Sequence, residues 1–215
     1  MNKTAIVIGA TGLVGLALVK QLLADPQWAK VKVFSRRSMD LNSSKLDLHV
    51  VDFTQLPIWQ SQIKGHSLFI CLGTTLRQAG SRAAMRQIDY ELPLDFSIAA
   101  KRNGIEDCLL ISSRMANPAS VFHYLRIKGE LEQALTHLLF KRLMIFRPGP
   151  LLGQRREPRT SEQLVAVLQP LFRAQYSPFR AWRGTSANSL ARCMLRHAND
   201  TAPQQKQIFQ GEALY

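Results

Sequence analysis

The stretch Ala5-Ile6-Val7-Ile8-Gly9-Ala10-Thr11-Gly12-Leu13-Val14-Gly15 decides the fold. Its first four residues are apolar and mostly β-branched, which predicts a parallel strand buried on both faces. Three glycines at a spacing of three follow, and the apolar period from Leu13 to Leu23 predicts a helix. A strand, glycine turn and helix in this order suit a dinucleotide. Gly9 lets the chain turn sharply, Gly12 lets backbone approach a pyrophosphate, and Gly15 lets the helix press on the strand. The free N–H groups and positive dipole end of the helix then face the phosphates.

Working outward, the 215 residues suit one domain. We expect a cofactor-binding core over 1–150 and a short substrate-side extension over 151–215. Three scattered cysteines, Cys71, Cys108 and Cys193, with no CxxC spacing, point to a reducing cytoplasm and away from a zinc site. The histidines show no ligand spacing, so no metal is expected. No run of 18 apolar residues occurs, and the chain enters its first strand at Thr4, which predicts neither a membrane span nor a signal peptide. The net charge of +13 raises nucleic acid as a partner. From Lys141 to Arg196 there are eleven basic residues against two acidic ones. They are scattered and not interleaved with aromatic stacking platforms, which favours an anionic small molecule instead.

Val31–Phe34 predicts the second strand, ending at Ser35-Arg36-Arg37. An NAD-specific fold carries an acid here for the ribose hydroxyls. A hydroxyl and two guanidiniums stand in its place, and Arg matches phosphate bidentately. One charge-assisted hydrogen bond of about 1.5–3 kcal/mol makes the preference for the 2′-phosphate of NADP over NAD tenfold or more. A third strand over 46–51 closes on Asp52, which is read either as an acceptor for the adenine amine or as an ordinary cap. The fourth strand, 67–72, opens into Gly73-Thr74-Thr75 at the carboxyl end, where ligands sit in such sheets. Within it Cys71 reads as a core residue, not a nucleophile. A helical stretch from Ser81 to Asn103, bent or broken at Pro93, leads to a fifth strand over 108–111 that ends on Ser112-Ser113. A helix from about Ser120 carries Tyr124 and Lys128, and Leu143–Phe146 is a sixth strand ending at Arg147-Pro148-Gly149. Strictly alternating strands and helices predict a doubly wound α/β sheet, mostly parallel, of the NAD(P)-binding Rossmann kind. Beyond 150 we expect a basic loop over 155–160, helices over 162–172 and 186–197, and an edge strand over 206–209.

Tyr124 and Lys128 lie four apart, on one helix face. A phenol exchanges protons near neutral pH only when a neighbouring cation favours phenolate. A hydroxyl from Ser112 or Ser113 at the neighbouring strand end can hold a carbonyl oxygen. This set points to carbonyl reduction.

These motifs resemble those of short-chain dehydrogenases/reductases, of the short atypical kind. Gly9-x-x-Gly12-x-x-Gly15, Tyr124-Leu-Arg-Ile-Lys128-Gly-Glu and Arg147-Pro148-Gly149 carry the likeness. With Cys71-Leu-Gly-Thr-Thr75 and Ala79-Gly80, the chain is similar to the Tat-interacting-protein group of oxidoreductases and its bacterial relatives. The resemblance implies NADPH in a groove formed by Gly9, Thr11, Gly12, Leu13, Val14, Gly15, Ser35, Arg36, Asp52, Leu72, Gly73, Tyr124, Lys128 and Pro148. Arg37, Thr74 and Arg147 complete the expected contacts. It implies NADPH-dependent reduction of a small carbonyl as the activity; the helices over 81–103 and 120–139 could pair in a homodimer, as in many relatives, and the oligomeric state stays open. The alternative is an NADPH-binding sensor or scaffold with little turnover. Better-known members carry Asn-Asn-Ala-Gly after the fourth strand, where this chain has Cys71-Leu72-Gly73-Thr74.

Overall fold

A computed structural model describes residues 3–152, 184–200 and 206–214. The first strand, β1 (Lys3–Ile8), is followed by helix α1 (Leu13–Ala24) and strand β2 (Trp28–Ser35). Strand β3 (Leu46–Val50) follows without an intervening helix, and a short helical passage containing α2 (Leu56–Trp59) leads to β4 (Ser67–Ile70). After β4 come α3 (Leu76–Ala79), α4 (Arg82–Arg86), one π-helical turn over Gln87–Glu91 and α5 (Leu92–Arg102). Strand β5 (Asp107–Ile111), helix α6 (His123–His137) and strand β6 (Arg142–Arg147) complete the alternation. Two short strands, β7 (Leu151–Leu152) and β8 (Thr185–Ser186), pair with each other. Helix α7 (Ala187–Asn199) and strand β9 (Lys206–Gln210) end the described chain.

Seven strands form one sheet in the order β3-β2-β1-β4-β5-β6-β9, and every pairing is parallel. The strand order reverses between β1 and β4, which opens a crevice at the carboxyl ends of those two strands. Alternation along each strand explains the three layers. Ala5, Val7, Val31, Val33, Phe69 and Leu109 face α1 and α7, while Ile6, Ile8, Phe34, Leu68, Ile70 and Leu110 face α2, α5 and α6. Both faces are covered, so the central strands are apolar over Ala5–Ile8, Leu68–Ile70 and Cys108–Ile111.

The expected doubly wound parallel fold is therefore present. β2 starts three residues earlier than predicted, because Trp28 is fully buried, edge-on to Phe69 at 5.7 Å between ring centroids. The helix predicted from about Ser120 begins at His123, and the edge strand over 206–209 is β9. Within the expected extension, α7 and β9 join the main layers. The predicted loop over 155–160 and helix over 162–172 lie outside the described residues. The helical stretch predicted from Ser81 to Asn103, bent or broken at Pro93, runs as α4, the π-helical turn and α5, with the irregular turn directly before Pro93. Among the described residues no helix is long and apolar enough to cross a membrane.

Candidate active site

The glycine turn lies at the strand-order reversal. Gly9 has φ +79°, and a Cβ there would lie 2.5 Å from the carbonyl carbon of Cys71. A Cβ on Gly15 would lie 2.2 Å from the Gly9 oxygen, so the first turn of α1 seats directly on the loop. Gly12 is less crowded, at 3.2 Å from that oxygen. It is the N-cap of α1, with extended backbone, no side-chain cap and no acid in the first turn. The amides at this end thus have no side-chain acceptor of their own, which fits an anion such as a dinucleotide's pyrophosphate.

At the end of β2, Ser35 is buried and its Oγ accepts the N–H of Arg37 at 3.2 Å. This holds the turn and leaves both arginine side chains in solvent. Among the described residues neither guanidinium has an ion-pair partner. Asp52 is used as a cap: its Oδ1 accepts the N–H of Thr54 at 2.9 Å and its hydroxyl at 2.8 Å. Those bonds hold the exposed carboxyl below the usual range.

On the other side of the crevice, α6 presents Tyr124 half-buried and Lys128 buried on one face. Among the described residues the Tyr124 hydroxyl has no hydrogen-bond partner. The Lys128 Nζ lies 2.9 Å from Asp89 Oδ1 and donates to the Leu72 carbonyl at 3.3 Å. Asp89 Oδ1 meets this ammonium at ion-pair distance but off the hydrogen-bonding direction. Its Oδ2 accepts the N–H of Thr74 at 2.9 Å. Asp89 and Lys128 thus support the Cys71–Thr74 loop, at the place where better-known members carry their asparagines. Burial raises the Cys71 thiol to about 12, which makes it inert, as its reading as a core residue expects.

The two serines separate cleanly. Ser112 is buried and its Oγ donates to Glu132 Oε1. Glu132 also receives Arg147 Nε at 2.9 Å and its second nitrogen at 2.5 Å. The Arg147 side chain expected at the cofactor is therefore committed to a buried acid that ties β5, α6 and β6 together. Ser113 is partly exposed, and among the described residues its Oγ donates only to the Arg114 carbonyl at 3.2 Å. The loop after it returns to the helix: the Asn117 N–H donates to the Leu125 carbonyl at 3.1 Å. The Arg114 N–H donates to the Pro148 carbonyl at 3.0 Å, which joins the β5 and β6 loops. Gly129 permits the close approach, since a Cβ there would lie 2.3 Å from Asn117 C and Pro118 N.

The sequence reading missed Asp89, Gly129 and Glu132. Gly129 carried a usable signal, because a mid-helix glycine costs about 1 kcal/mol relative to alanine and needs a reason. Glu132 continues the Tyr124–Lys128 face at the next four-residue step. Asp89 has no local mark.

The HIM1 family model matches residues 27–177. The chain belongs to the HIM1 family. Protein HTATIP2 from Rattus norvegicus is 38% identical over 168 residues, 76% of this chain and 69% of that protein. The FMP52 protein of Candida albicans is 36% identical over 156 residues, 70% of this chain and 68% of that protein. The HIM1 chain is thus an atypical short-chain dehydrogenase/reductase with Tat-interacting-protein-like relatives, as the motifs suggested. Among solved structures, MoeE5 in complex with UDP-glucuronic acid and NAD superimposes with a TM-score of 0.75 at 15% identity. That match covers 97% of this chain and 76% of that one. UDP-glucose 4-epimerase from Thermotoga maritima matches at 0.72 and 14%, over 96% of this chain and 76% of its own. These likenesses establish the fold. The cytoplasmic placement expected from the cysteines does not hold: the FMP52 relatives from Candida albicans and Saccharomyces cerevisiae are named as mitochondrial. Three free cysteines carry no address within the cell.

Proposed function

We propose that this HIM1-family chain is an NADP-dependent oxidoreductase that reduces a small carbonyl compound, with Tyr124 as proton donor. The observation that carries the reading is that an uncapped glycine turn, a Tyr124 hydroxyl without a partner among the described residues and a partly exposed Ser113 all lie at the carboxyl end of the sheet. MoeE5 and its structural kin, which share this fold, are described with NAD. Here the free Arg36 and Arg37 side chains favour the 2′-phosphate of NADP. The turn from Gly9 to Gly15, with Thr11, Leu13 and Val14, holds the pyrophosphate. Leu72, Gly73, Thr74 and Pro148 line the nicotinamide half.

When bound, NADPH supplies the hydride. Ser113 Oγ–H donates a hydrogen bond to the substrate carbonyl oxygen and orients it. Tyr124 then transfers its phenolic proton to that oxygen, giving the alcohol. A positioned proton donor contributes about 10²–10⁴-fold to the rate. Tyr124→Phe removes the proton and keeps the ring. NADPH oxidation at 340 nm on a panel of aldehydes, ketones and quinones should fall at least 100-fold, with NADPH affinity retained. Undiminished turnover refutes the mechanism. Tight NADPH binding with no turnover by the unaltered chain favours the sensor or scaffold reading.

A further inference from the structure

We propose that Met115 and Phe122 form an apolar rim on the substrate side of the site, and that the substrate is an uncharged carbonyl compound with an aromatic or long alkyl body. The loop between Ser113 and Tyr124 keeps three large apolar side chains in solvent: Met115 is 60% exposed, Val121 86% and Phe122 68%. Exposed hydrophobic residues scattered singly need no explanation, but these three share one loop and flank both hydroxyls assigned to the reaction. Met115 is two residues after Ser113, and Phe122 is two residues before Tyr124. Two trans peptide units separate Cα atoms by about 7 Å at most. A carbonyl held between the Ser113 and Tyr124 hydroxyls therefore has both apolar side chains within reach.

Both residues stand where the local backbone favours something else. The Ala116 N–H donates to the Ser113 carbonyl at 3.1 Å, which closes a tight turn with Met115 as its third residue. The φ of Met115 is +64°, in the left-handed region that glycine adopts freely and other residues adopt at a cost. Leu139 also has a positive φ, +53°, but it directly follows the Leu138 cap of α6, the usual place for such a conformation. Met115 has no helix end to explain it. Phe122 is the N-cap of α6, with extended backbone at φ −79° and ψ 115° and no side-chain cap. A Ser, Thr, Asp or Asn there would satisfy a free amide. Packing does not account for the aromatic residue either: its neighbour Val121 would need an apolar residue four positions into the helix, and that position is Arg126. Local preferences broken twice in one loop, with the side chains left in water, are a mark of functional sites.

The loop is held rather than loose. The Asn117 N–H donates to the Leu125 carbonyl at 3.1 Å, the Phe122 N–H to Ser120 Oγ at 3.2 Å, and Arg126 Nη1 to the Ser120 carbonyl at 3.1 Å. The charges beside Phe122 are engaged with each other, since Arg126 meets Glu130 at 3.9 Å and the His123 ring at 3.3 Å. An apolar body covering Met115 and Phe122 gains the burial that folding leaves unused.

The inference rests on the proposed function in calling the ligand a substrate, and binding alone tests it. The probe is 6-propionyl-2-dimethylaminonaphthalene, an aromatic ketone whose emission moves to shorter wavelength on leaving water. It is titrated into the full chain in excess NADP+. The parent should bind it saturably and release it to acetophenone. Met115→Gly and Phe122→Ser should each raise the probe's dissociation constant at least about fivefold. Folding should respond in the opposite sense, because the first variant relieves strain and the second adds a cap. Their melting temperatures should be unchanged or higher by about 2–4 °C. Leu139→Gly is the control: it removes a side chain that is 78% exposed at the far end of α6, and probe affinity should not change. Unchanged probe affinity in either variant, a lowered melting temperature in either, or no saturable binding by the parent overturns the proposal. Displacement of the probe by phenylglyoxylate at lower concentration than by acetophenone also overturns it, since that marks a site for a carboxylate. A chain that binds the probe through Met115 and Phe122 yet reduces no carbonyl with NADPH sinks the proposed function and leaves the apolar rim standing.

Discussion

Alanine at position 129 tests the geometry of this site more sharply than removal of a reacting group. On helix propensity alone, Gly129→Ala in the middle of α6 should stabilise the protein by about 1 kcal/mol. The tertiary structure reverses the sign. The new methyl would lie 2.3 Å from Asn117 C and Pro118 N, both of the main chain, whereas ordinary contact begins at 3.4 Å. The loop between Ser113 and Tyr124 must therefore retreat from α6 by about 1 Å. Overpacking of this kind costs about 1–3 kcal/mol, which the propensity gain only partly offsets. With a net cost of up to about 2 kcal/mol, at about 2–4 °C per kcal/mol for a chain this size, the melting temperature should fall by up to about 8 °C. The catalytic effect should be larger, because a misplacement of about 1 Å can cost 10²-fold in rate. NADPH affinity should stay within about twofold, since the phosphate-facing turn sits on β1 and β4. Calorimetric melting, NADPH titration and carbonyl-dependent NADPH oxidation measure the three quantities. Gly80→Ala is the control: φ is +82° and nothing lies within 4 Å, so strain should lower the melting temperature without changing turnover. A more stable Gly129→Ala protein with unchanged turnover refutes the reasoning.

Arg36→Ala with Arg37→Ala should weaken NADPH binding about tenfold or more and leave NADH binding unchanged, as read by titration calorimetry. Ser112→Ala should lower stability by about 1–3 kcal/mol, because it strips a partner from buried Glu132, whereas Ser113→Ala should leave stability intact and lower turnover about 10²-fold. Thermal melts and rates on the same preparations separate the two. His197 stacks on Phe209 at 4.1 Å, and burial, followed by nearby Arg196, lowers its pKa against an opposing pull from Asp200. The folded state thus binds this proton less readily than the unfolded chain. Its contribution is present above about pH 6.5 and declines as pH falls toward the lowered folded value. His197→Gln should therefore lose less stability than wild type between pH 7 and pH 5, and equal losses in both count against the assignment.

The strands were legible because burial on both faces leaves an unbroken apolar signature, as in Ile6–Ile8 and Leu68–Ile70. The glycine turn was legible because backbone geometry at Gly9 and close packing at Gly15 restrict those positions to glycine. The start of β2 was hidden, since Lys30 and Lys32 interrupt the apolar run and Trp28 joins the core through residues distant in the chain, among them Phe69 and Asn199, whose Oδ1 accepts the indole N–H at 2.9 Å. The helical stretch predicted from Ser81 to Asn103 has nearly that extent, and its irregular turn lies directly before Pro93, where a bend or break was expected, though its π-helical form was not legible. A π-helical turn has the same composition as the α-helix around it.

The sequence by itself determined the sheet, the turn at Gly9–Gly15, the basic end of β2 and the Tyr124–Lys128 face. Each follows from short-range spacing or from the chemistry of single residues. Only the tertiary structure decided that Ser112 is tied to Glu132, that Arg147 is spent on Glu132, and that Lys128 is matched by Asp89. Those partners lie 20, 15 and 39 positions apart in the chain. Charge compensation inside a protein depends on distance in space and exclusion of water, and neither is written in the local order of residues.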